Sequence, residues 1–430
     1  MKLFSTNTCY VPDDLSSVTG IAENEVVAEL AGMTQQQVNK IWQAVEKLYR
    51  TGNNPMISLC LRRRGEIVLN RSIGYAQGSH VNGLKADAKI ATPETPICLF
   101  STSKIVTAML IHLLVEQGKI DLKHPVADYI PEFAANGKQH ITIQHLLSHR
   151  AGIASIGKNI NPELMFDPEA ILQKLYQAKP RSVGHQVAYH AVTAGYVLGE
   201  LIRRVTEQDI RHFLHDTIEQ PMEMQHFNYG LPPELREHVA LNRATGLHPS
   251  LGTDIYLNHL LGSDLYQIIK MSNDVRFMET ICPAGNIYTT AEQAGRFFEM
   301  LLNGGVYKDR RILSEQTILN AIVPTANFEF DSSLLIPMRY GNGPMLGANP
   351  VGLYGPMTQH AFGHVGFFNV FGWADPARDI SVTLLTTGKS VVGTHLPALG
   401  RVLYQISAQC PSVPRKQRRS IFGVKQQYIA

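Results

Sequence analysis

The chain has 430 residues, of which 44% are hydrophobic and 17% charged, and its formal net charge is +3. This length exceeds the size at which a single hydrophobic core usually stops growing, and the low charged fraction favours a large buried core, so we expect two structural lobes. The small net charge argues against a nucleic-acid partner, and no run approaches the roughly 18 apolar residues of a membrane span.

The amino-terminal stretch lacks the apolar block of a secretory signal. The five cysteines are scattered and form no CxxC pair, which predicts neither a disulfide framework nor a zinc site. We therefore predict a soluble, cytoplasmic protein that uses no metal and no other cofactor. The basic run at residues 415–419 is interpreted as part of a solvated tail that spans residues 415–430.

Helix and strand patterns follow one another along the chain. Residues 33–52 predict an amphipathic helix, and residues 55–78 predict two strands joined by a turn at Arg64 and Gly65. Four helical patterns come next, at residues 100–114, 141–152, 167–179 and 188–218. Two apolar, β-branched strands follow at residues 366–376 and 379–388, with a turn at Pro376, and a closing helix covers residues 395–409.

This order predicts an α+β fold. Strands lie near both ends of the chain and helices in its middle, so the simplest packing joins residues 1–97 and 280–430 in one antiparallel sheet flanked by helices. Residues 98–279 then form a mainly helical lobe. A cleft between the lobes is the expected place for a functional site.

A Ser-x-x-Lys pair opens the buried helical pattern at Ser101 and Lys104. The two residues lie one turn apart on the same helical face, and burial would lower the pKa of the lysine enough for it to act as a base for the serine hydroxyl. The alternative is a capping serine beside a lysine that extends to solvent. A second pair, Ser155 and Lys158, falls among glycines and is interpreted as a loop.

The residues around the first pair carry a wider resemblance. The block FSTSKIVTAMLIHLLVEQGKIDLKHPVADYIPEF and the following ITIQHLLSHRAGI resemble the serine β-lactamase and penicillin-binding-protein superfamily. They are most similar to class C β-lactamases and the related family VIII carboxylesterases. Similar blocks continue in the expected order over most of residues 35–405. The resemblance implies a β-lactamase/D,D-peptidase-like fold and an acyl-enzyme mechanism.

The resemblance assigns roles to three side chains. Ser101 corresponds to the acylated serine, Lys104 to its lysine partner, and Tyr189 to the tyrosine that acts as base and proton shuttle. The tripeptide Tyr-x-Asn does not identify this tyrosine, because it occurs at Tyr256 and Tyr340, whereas Tyr189 has Ala191 in place of the asparagine. Tyr189 is preferred for its context, with Tyr340 as the alternative.

A third motif, His364-Val365-Gly366, corresponds to the strand that lies beside the serine in this superfamily. The resemblance implies that the backbone N–H groups of Ser101 and Phe367 form the oxyanion hole, with His364 and Gly366 at the substrate.

Two departures from the β-lactamase pattern favour an esterase. Ala191 stands where many β-lactamases have an asparagine amide, and His364 replaces a lysine. A lysine about 4 Å from a substrate carboxylate would contribute about 4 kcal/mol at an effective dielectric of 20, whereas an unperturbed histidine is mostly neutral at pH 7. A neutral ester needs neither contact.

We therefore predict a serine hydrolase that cleaves short-chain carboxylic esters. A β-lactamase, a D,D-peptidase and an acyltransferase of the same fold are alternatives, as is a non-catalytic binding protein. The expected partner is a small-molecule ester or amide, and the sequence does not predict the oligomeric state. His145 and His149, four residues apart on a predicted helix, are interpreted as structural rather than as zinc ligands.

Overall fold

Strands from both ends of the chain form one antiparallel sheet in the computed structural model, which describes residues 6–80, 83–155, 161–247 and 251–414. In chain order the strands are β1 Thr19–Ile21, β2 Met56–Arg63, β3 Glu66–His80, β4 Gly83–Ile90, β5 Met345–Leu346, β6 Phe362–Gly366, β7 Val370–Asp375 and β8 Ile380–Thr386. Their order across the sheet is β5-β6-β7-β8-β2-β3-β1, and β4 pairs with β3. The predicted α+β fold is confirmed, while the lobe boundaries at residues 97/98 and 279/280 stay predictions.

Two predicted hairpins hold this sheet together. β2 and β3 are joined at Arg64 and Gly65, which both have positive φ angles, as a tight hairpin turn requires. β7 and β8 are joined around Pro376. β8 also pairs with β2, so that Val382 lies opposite Leu61 and the two ends of the chain share one core.

Helices cover both faces of the sheet and fill the middle of the chain. The α-helices of the described residues are α1 Gln35–Tyr49, α2 Ser103–Glu116, α3 Ile143–Leu147, α4 Pro168–Gln177, α5 Thr193–Thr206, α6 Ile210–Leu214, α7 Leu251–Leu261, α8 Leu265–Ser272, α9 Val275–Glu279, α10 Ala291–Leu302, α11 Glu315–Ile322 and α12 His395–Gln409. Helices α1 and α12 pack together with one face of the sheet, and α10 packs against β2, β7 and β8 from the other.

Short strands connect the sheet to the helical region. Ile97–Cys98, Ile287–Thr289 and Asn228–Tyr229 form a three-stranded sheet, and Gly388–Lys389 pairs in parallel with Arg243–Ala244. The remaining strands form two-stranded pairs: Thr6–Asn7 with Gly246–Leu247, Val306–Tyr307 with Arg310–Arg311, Glu329–Asp331 with Ile336–Met338, and Val351–Gly352 with Gly355–Pro356. Within the described ranges, no helix has the length and apolar character needed to cross a bilayer.

Helix α2 is buried along almost its whole length, as its apolar sequence predicts. It packs against α5, α11 and β6. The helix begins three residues later than expected, at Ser103, because Phe100–Thr102 forms a 3-10 turn. Ser101 therefore lies in this turn, directly before the α-helix, and Lys104 lies in its first turn.

Two helix predictions are wrong in their extent. The pattern over residues 188–218 is not one helix: α5 begins at Thr193, and α6 is a separate helix. Helix α3 ends at Leu147, and His149 has a left-handed φ of 59°, so His145 and His149 do not share a helix face. The carbonyl of His149 instead accepts a hydrogen bond from Ala188 N, which ties this loop to the segment before α5.

Candidate active site

Ser101 and Lys104 form a hydrogen-bonded pair. Lys104 Nζ lies 2.9 Å from Ser101 Oγ and is buried, with 8% of the residue exposed. Two backbone carbonyls also accept hydrogen bonds from Nζ, at 2.6 Å for Ala191 and 2.9 Å for Ala284. The structure therefore places Lys104 inside the protein, not along its surface.

Burial makes Lys104 a candidate base. Desolvation lowers its pKa to about 7, and the nearby Cys282 thiol acts weakly in the opposite direction. A neutral lysine has two N–H donors and one lone pair. The carbonyls of Ala191 and Ala284 accept from the two donors, which leaves the lone pair for the Ser101 hydroxyl.

This geometry predicts the pH dependence of the reaction. The deprotonated amine is the form that accepts the serine proton, so kcat/KM should rise with pH up to about pH 7, where half of this amine is deprotonated. A pH profile of ester hydrolysis measures this, with Lys104→Arg as the control that stays charged and inactive throughout. A profile that is flat between about pH 5 and pH 7 would mean that another group is the base.

Tyr189 lies beside this pair, in the loop before α5. Tyr189 is 5% exposed, and Lys104 Nζ lies 5.1 Å from the centroid of the Tyr189 ring. Burial raises the pKa of Tyr189 well above its ordinary value, although the neighbouring Ser101 hydroxyl lowers it. The phenol therefore stays protonated. Among the described residues, none forms a hydrogen bond with its hydroxyl, and this hydroxyl is therefore available to a reacting group.

Tyr340, the alternative tyrosine, has a different environment. Its hydroxyl donates a 2.8 Å hydrogen bond to Asp331 Oδ2. The other oxygen of this buried carboxylate accepts from the backbone N–H of Tyr189 at 3.1 Å. Asp331 thus connects the two tyrosines. Tyr189 lies next to Ser101 and Lys104, whereas the hydroxyl of Tyr340 is bonded to Asp331.

Buried histidines support the same tyrosines. The His149 ring packs edge-on against Tyr189 and Tyr340, with centroids 4.7 and 4.9 Å apart, and it stacks on His190. Burial holds the pKa of His149 well below its usual range, with further lowering by His190, His364 and Lys104. His149 is therefore a neutral packing residue, which agrees with the interpretation of this histidine as structural.

Strand β6, which carries the third motif, packs against the Ser101 turn at Gly366. A Cβ atom at Gly366 would clash with the Leu99 carbonyl oxygen and lie 3.1 Å from Ser101 N. A larger residue would push β6 away from the serine turn. Phe100 directly precedes Ser101, and Phe367 carries the other N–H group assigned to the oxyanion hole. Their φ angles are positive, at 46° and 27°, and their ring centroids lie 5.1 Å apart.

His364 is fully buried on β6. Its Nδ1 lies 2.9 Å from the Val365 carbonyl, and burial lowers its pKa to about 3, with a further contribution from the charge of Lys104. The imidazole is therefore neutral at physiological pH. His364 does not supply the positive charge that the β-lactamase lysine would place there.

A cavity of about 140 Å³ opens at Ser101. Its reactive end is formed by Ser101, Phe100, Ala191, Ala284 and Phe367. Apolar side chains form much of its wall: Met165, Leu260, Leu261, Ile268, Met271 and Phe277. Among the described residues that line it, none carries a charged side chain.

The second Ser-x-x-Lys pair is only partly described. Ser155 lines the same cavity, but Lys158 lies outside the described residues, as does the basic tail at residues 415–430. In the part of the chain that the structure describes, no group of three or more His, Cys, Asp or Glu side chains is arranged to hold a metal ion.

Sequence reasoning missed Asp331, which bonds to both candidate tyrosines, and Lys389, whose Nζ lies 4.7 Å from the ring centroid of Phe100. Asp331 lies in a short hairpin and belongs to no sequence motif. It accepts a hydrogen bond from Tyr189, which is 142 residues away in the chain. Lys389 directly follows the apolar segment that contains β8, and a charged residue at the end of a buried strand was the available signal.

The fold and the Ser-x-x-Lys pair place the chain in the class of serine β-lactamase-like proteins. The chain belongs to the Beta-lactamase family, whose model matches residues 41–403. The family resemblance predicted from the sequence blocks is thereby confirmed.

Relatives with this fold include hydrolases of several kinds. The chain is 26% identical over 339 residues to "Esterase/beta-lactamase LipL" of Mycobacterium tuberculosis, an alignment that covers 74% of this chain and 76% of LipL. A penicillin-binding protein homolog from Caulobacter crescentus has a TM-score of 0.74 at 26% identity and covers 88% of this chain and 99% of its own. A family VIII carboxylesterase has a TM-score of 0.73 at 25% identity, with 87% and 99% coverage.

Proposed function

We propose that this protein is a serine carboxylesterase that cleaves short-chain esters through an acyl-enzyme on Ser101. The observation that carries the proposal is the apolar cavity at Ser101, whose described lining residues bear no charge. An apolar cavity of about 150 Å³ accommodates benzene, so this one suits an acyl chain of about four to six carbons.

Acylation begins with the pair of Ser101 and Lys104. Neutral Lys104 takes the hydroxyl proton while Ser101 Oγ forms a bond to the ester carbonyl carbon. The carbonyl oxygen becomes an oxyanion, which the backbone N–H groups of Ser101 and Phe367 stabilise. When the intermediate collapses, the bond to the leaving alkoxide breaks. The Tyr189 hydroxyl gives this alkoxide a proton and regains one from protonated Lys104.

Deacylation repeats these transfers with water as the nucleophile. Lys104 and Tyr189 remove a proton from water as its oxygen attacks the acyl carbon, and Ser101 Oγ leaves with a proton. An acyltransferase would differ only in using an alcohol in place of water. The desolvated Lys104 argues against a non-catalytic binding protein, because burying an amine beside a serine has a cost in stability that binding alone does not require.

The charge of the cavity leads to a prediction about specificity. The value of kcat/KM for p-nitrophenyl butyrate should exceed that for a chromogenic cephalosporin by orders of magnitude, because no described lining residue can pair with the cephalosporin carboxylate. Steady-state kinetics with both substrates on one preparation measures this. A cephalosporin that is turned over with the higher kcat/KM would contradict the esterase proposal in favour of a β-lactamase.

A further inference from the structure

A second buried lysine lies under the candidate oxyanion hole. Lys389 is 0% exposed, and its Nζ sits 4.7 Å from the ring centroid of Phe100 and 6.0 Å from that of Phe367. Nζ donates a 2.8 Å hydrogen bond to the Thr386 carbonyl, and among the ion pairs of the described residues none includes Lys389. A lysine is almost never buried to this extent without a partner. Besides the Thr386 carbonyl, the partners that the structure offers are the two aromatic faces.

The two rings belong to residues in strained conformations. Phe100 directly precedes Ser101, Phe367 supplies one of the two N–H groups assigned to the oxyanion hole, and both have positive φ angles. Large residues adopt such angles only where their surroundings hold them there. The rings contact each other, and both contact Lys389. Cation–π contacts with the ammonium group therefore contribute to stabilising the two phenylalanines in these conformations.

We propose that Lys389 is a positioning residue, which fixes Phe100 and Phe367 through cation–π contacts so that the N–H groups of Ser101 and Phe367 converge on one oxyanion. This inference rests on the proposed acyl-enzyme mechanism and does not depend on the substrate being an ester. Lys389 contacts the rings and not the reacting atoms, and its effect therefore reaches the reaction through the geometry of the hole.

The protonation state of Lys389 adds a second signature. Burial lowers its pKa to about 7, and the Cys98 thiol, whose own pKa burial raises to about 12, is the titratable group among the described residues that acts on it. A neutral amine makes no cation–π contact. The contribution of Lys389 should therefore be present below pH 7 and be lost as the pH rises above it.

The test measures the rate at which Ser101 reacts with a fluorophosphonate probe, since this reaction uses the oxyanion hole without requiring an ester substrate. Lys389→Met removes the charge and keeps a similar apolar volume. Its labelling rate at pH 6.5 should fall by about 10²-fold, because small misplacements of reacting groups have effects of this size. The ratio of wild-type to variant rates should shrink towards 1 by pH 9, and Lys389→Arg should recover part of the loss at pH 6.5.

Lys138→Met is the matched control. Lys138 is another fully buried lysine, with its Nζ 5.6 Å from the Phe133 ring, and it bonds to the carbonyls of Tyr176 and Ala178 in the helical region. Its loss should lower the melting temperature without changing the labelling rate. If Lys389→Met does not fold, Phe100→Leu provides the same test, because it removes the π face that Lys389 contacts. Its labelling rate at pH 6.5 should fall by a similar factor, and the ratio of wild-type to variant rates should again shrink towards 1 by pH 9.

Each outcome separates this inference from the proposed function. Labelling of Lys389→Met at the wild-type rate, or a rate ratio that does not change with pH, overturns the positioning role even if the enzyme hydrolyses esters. Wild-type protein that is labelled on Ser101 but cleaves no ester contradicts the esterase function alone. Wild-type protein that is not labelled overturns both.

Discussion

Ester hydrolysis by Ser101→Ala should be about 10⁴-fold to 10⁶-fold slower than by the wild type, the loss that follows when the nucleophile of an acyl-transfer enzyme is removed. Ser101 Oγ is a hydroxyl oxygen 2.9 Å from Lys104 Nζ, and burial lowers the pKa of Lys104 so that it can act as a base. Alanine keeps the 3-10 turn and removes the oxygen alone. The measurement is kcat for p-nitrophenyl butyrate, with circular dichroism to show that the variant is folded.

Ser155→Ala is the matched control for this substitution. Ser155 lines the same cavity and begins the other Ser-x-x-Lys sequence, so it tests whether any serine in the pocket would serve. We expect its kcat to stay within a few-fold of the wild type and a fluorophosphonate probe to label Ser101 in both proteins. An adduct mapped to Ser155 by mass spectrometry, or full activity in Ser101→Ala, would remove the mechanism.

Tyr189→Phe should lower kcat by about 10²-fold to 10⁴-fold, the usual contribution of a general acid–base group. This corresponds to roughly 3–5 kcal/mol of transition-state stabilisation at 1.36 kcal/mol per decade. Phenylalanine keeps the ring that packs against His149 and Lys104, and it removes the hydroxyl that carries the proton. Acylation and deacylation should both slow, which pre-steady-state kinetics with p-nitrophenyl butyrate can separate.

Tyr340→Phe is the control that separates the two tyrosines. It deprives Asp331 of one hydrogen bond, which should cost about 1–3 kcal/mol of stability because the carboxylate is buried. Its kcat should stay within about tenfold of the wild type, because this hydroxyl is already bonded to Asp331. The reverse pattern, a folded and active Tyr189→Phe beside an inactive Tyr340→Phe, would reassign the tyrosine and leave Lys104 as the sole base near Ser101.

Much of the fold could be predicted from local sequence. The apolar run after Ser101 predicts a buried helix because a segment with so few polar side chains has no stable place at a surface, and the structure buries it. The hairpin at Arg64 and Gly65 is likewise encoded by neighbouring residues. Local patterns were less reliable at the ends of elements: α2 begins at Ser103, and α5 at Thr193, because contacts with distant segments decide where a helix stops.

The sequence by itself determined that Ser101 and Lys104 are neighbours. Two residues three positions apart in a helix lie on the same face, one turn from each other, whatever surrounds them. It also determined, through the family blocks, that the chain has this fold. The tertiary structure alone decided that Lys104 is buried, with its Nζ bonded to the carbonyls of Ala191 and Ala284. It also decided that Asp331 accepts hydrogen bonds from the backbone of Tyr189 and from the hydroxyl of Tyr340. It likewise placed Lys389 under Phe100 and Phe367. The physical reason is that pKa values and hydrogen bonds depend on atoms a few ångströms away in space, and these atoms come from residues far apart in the chain.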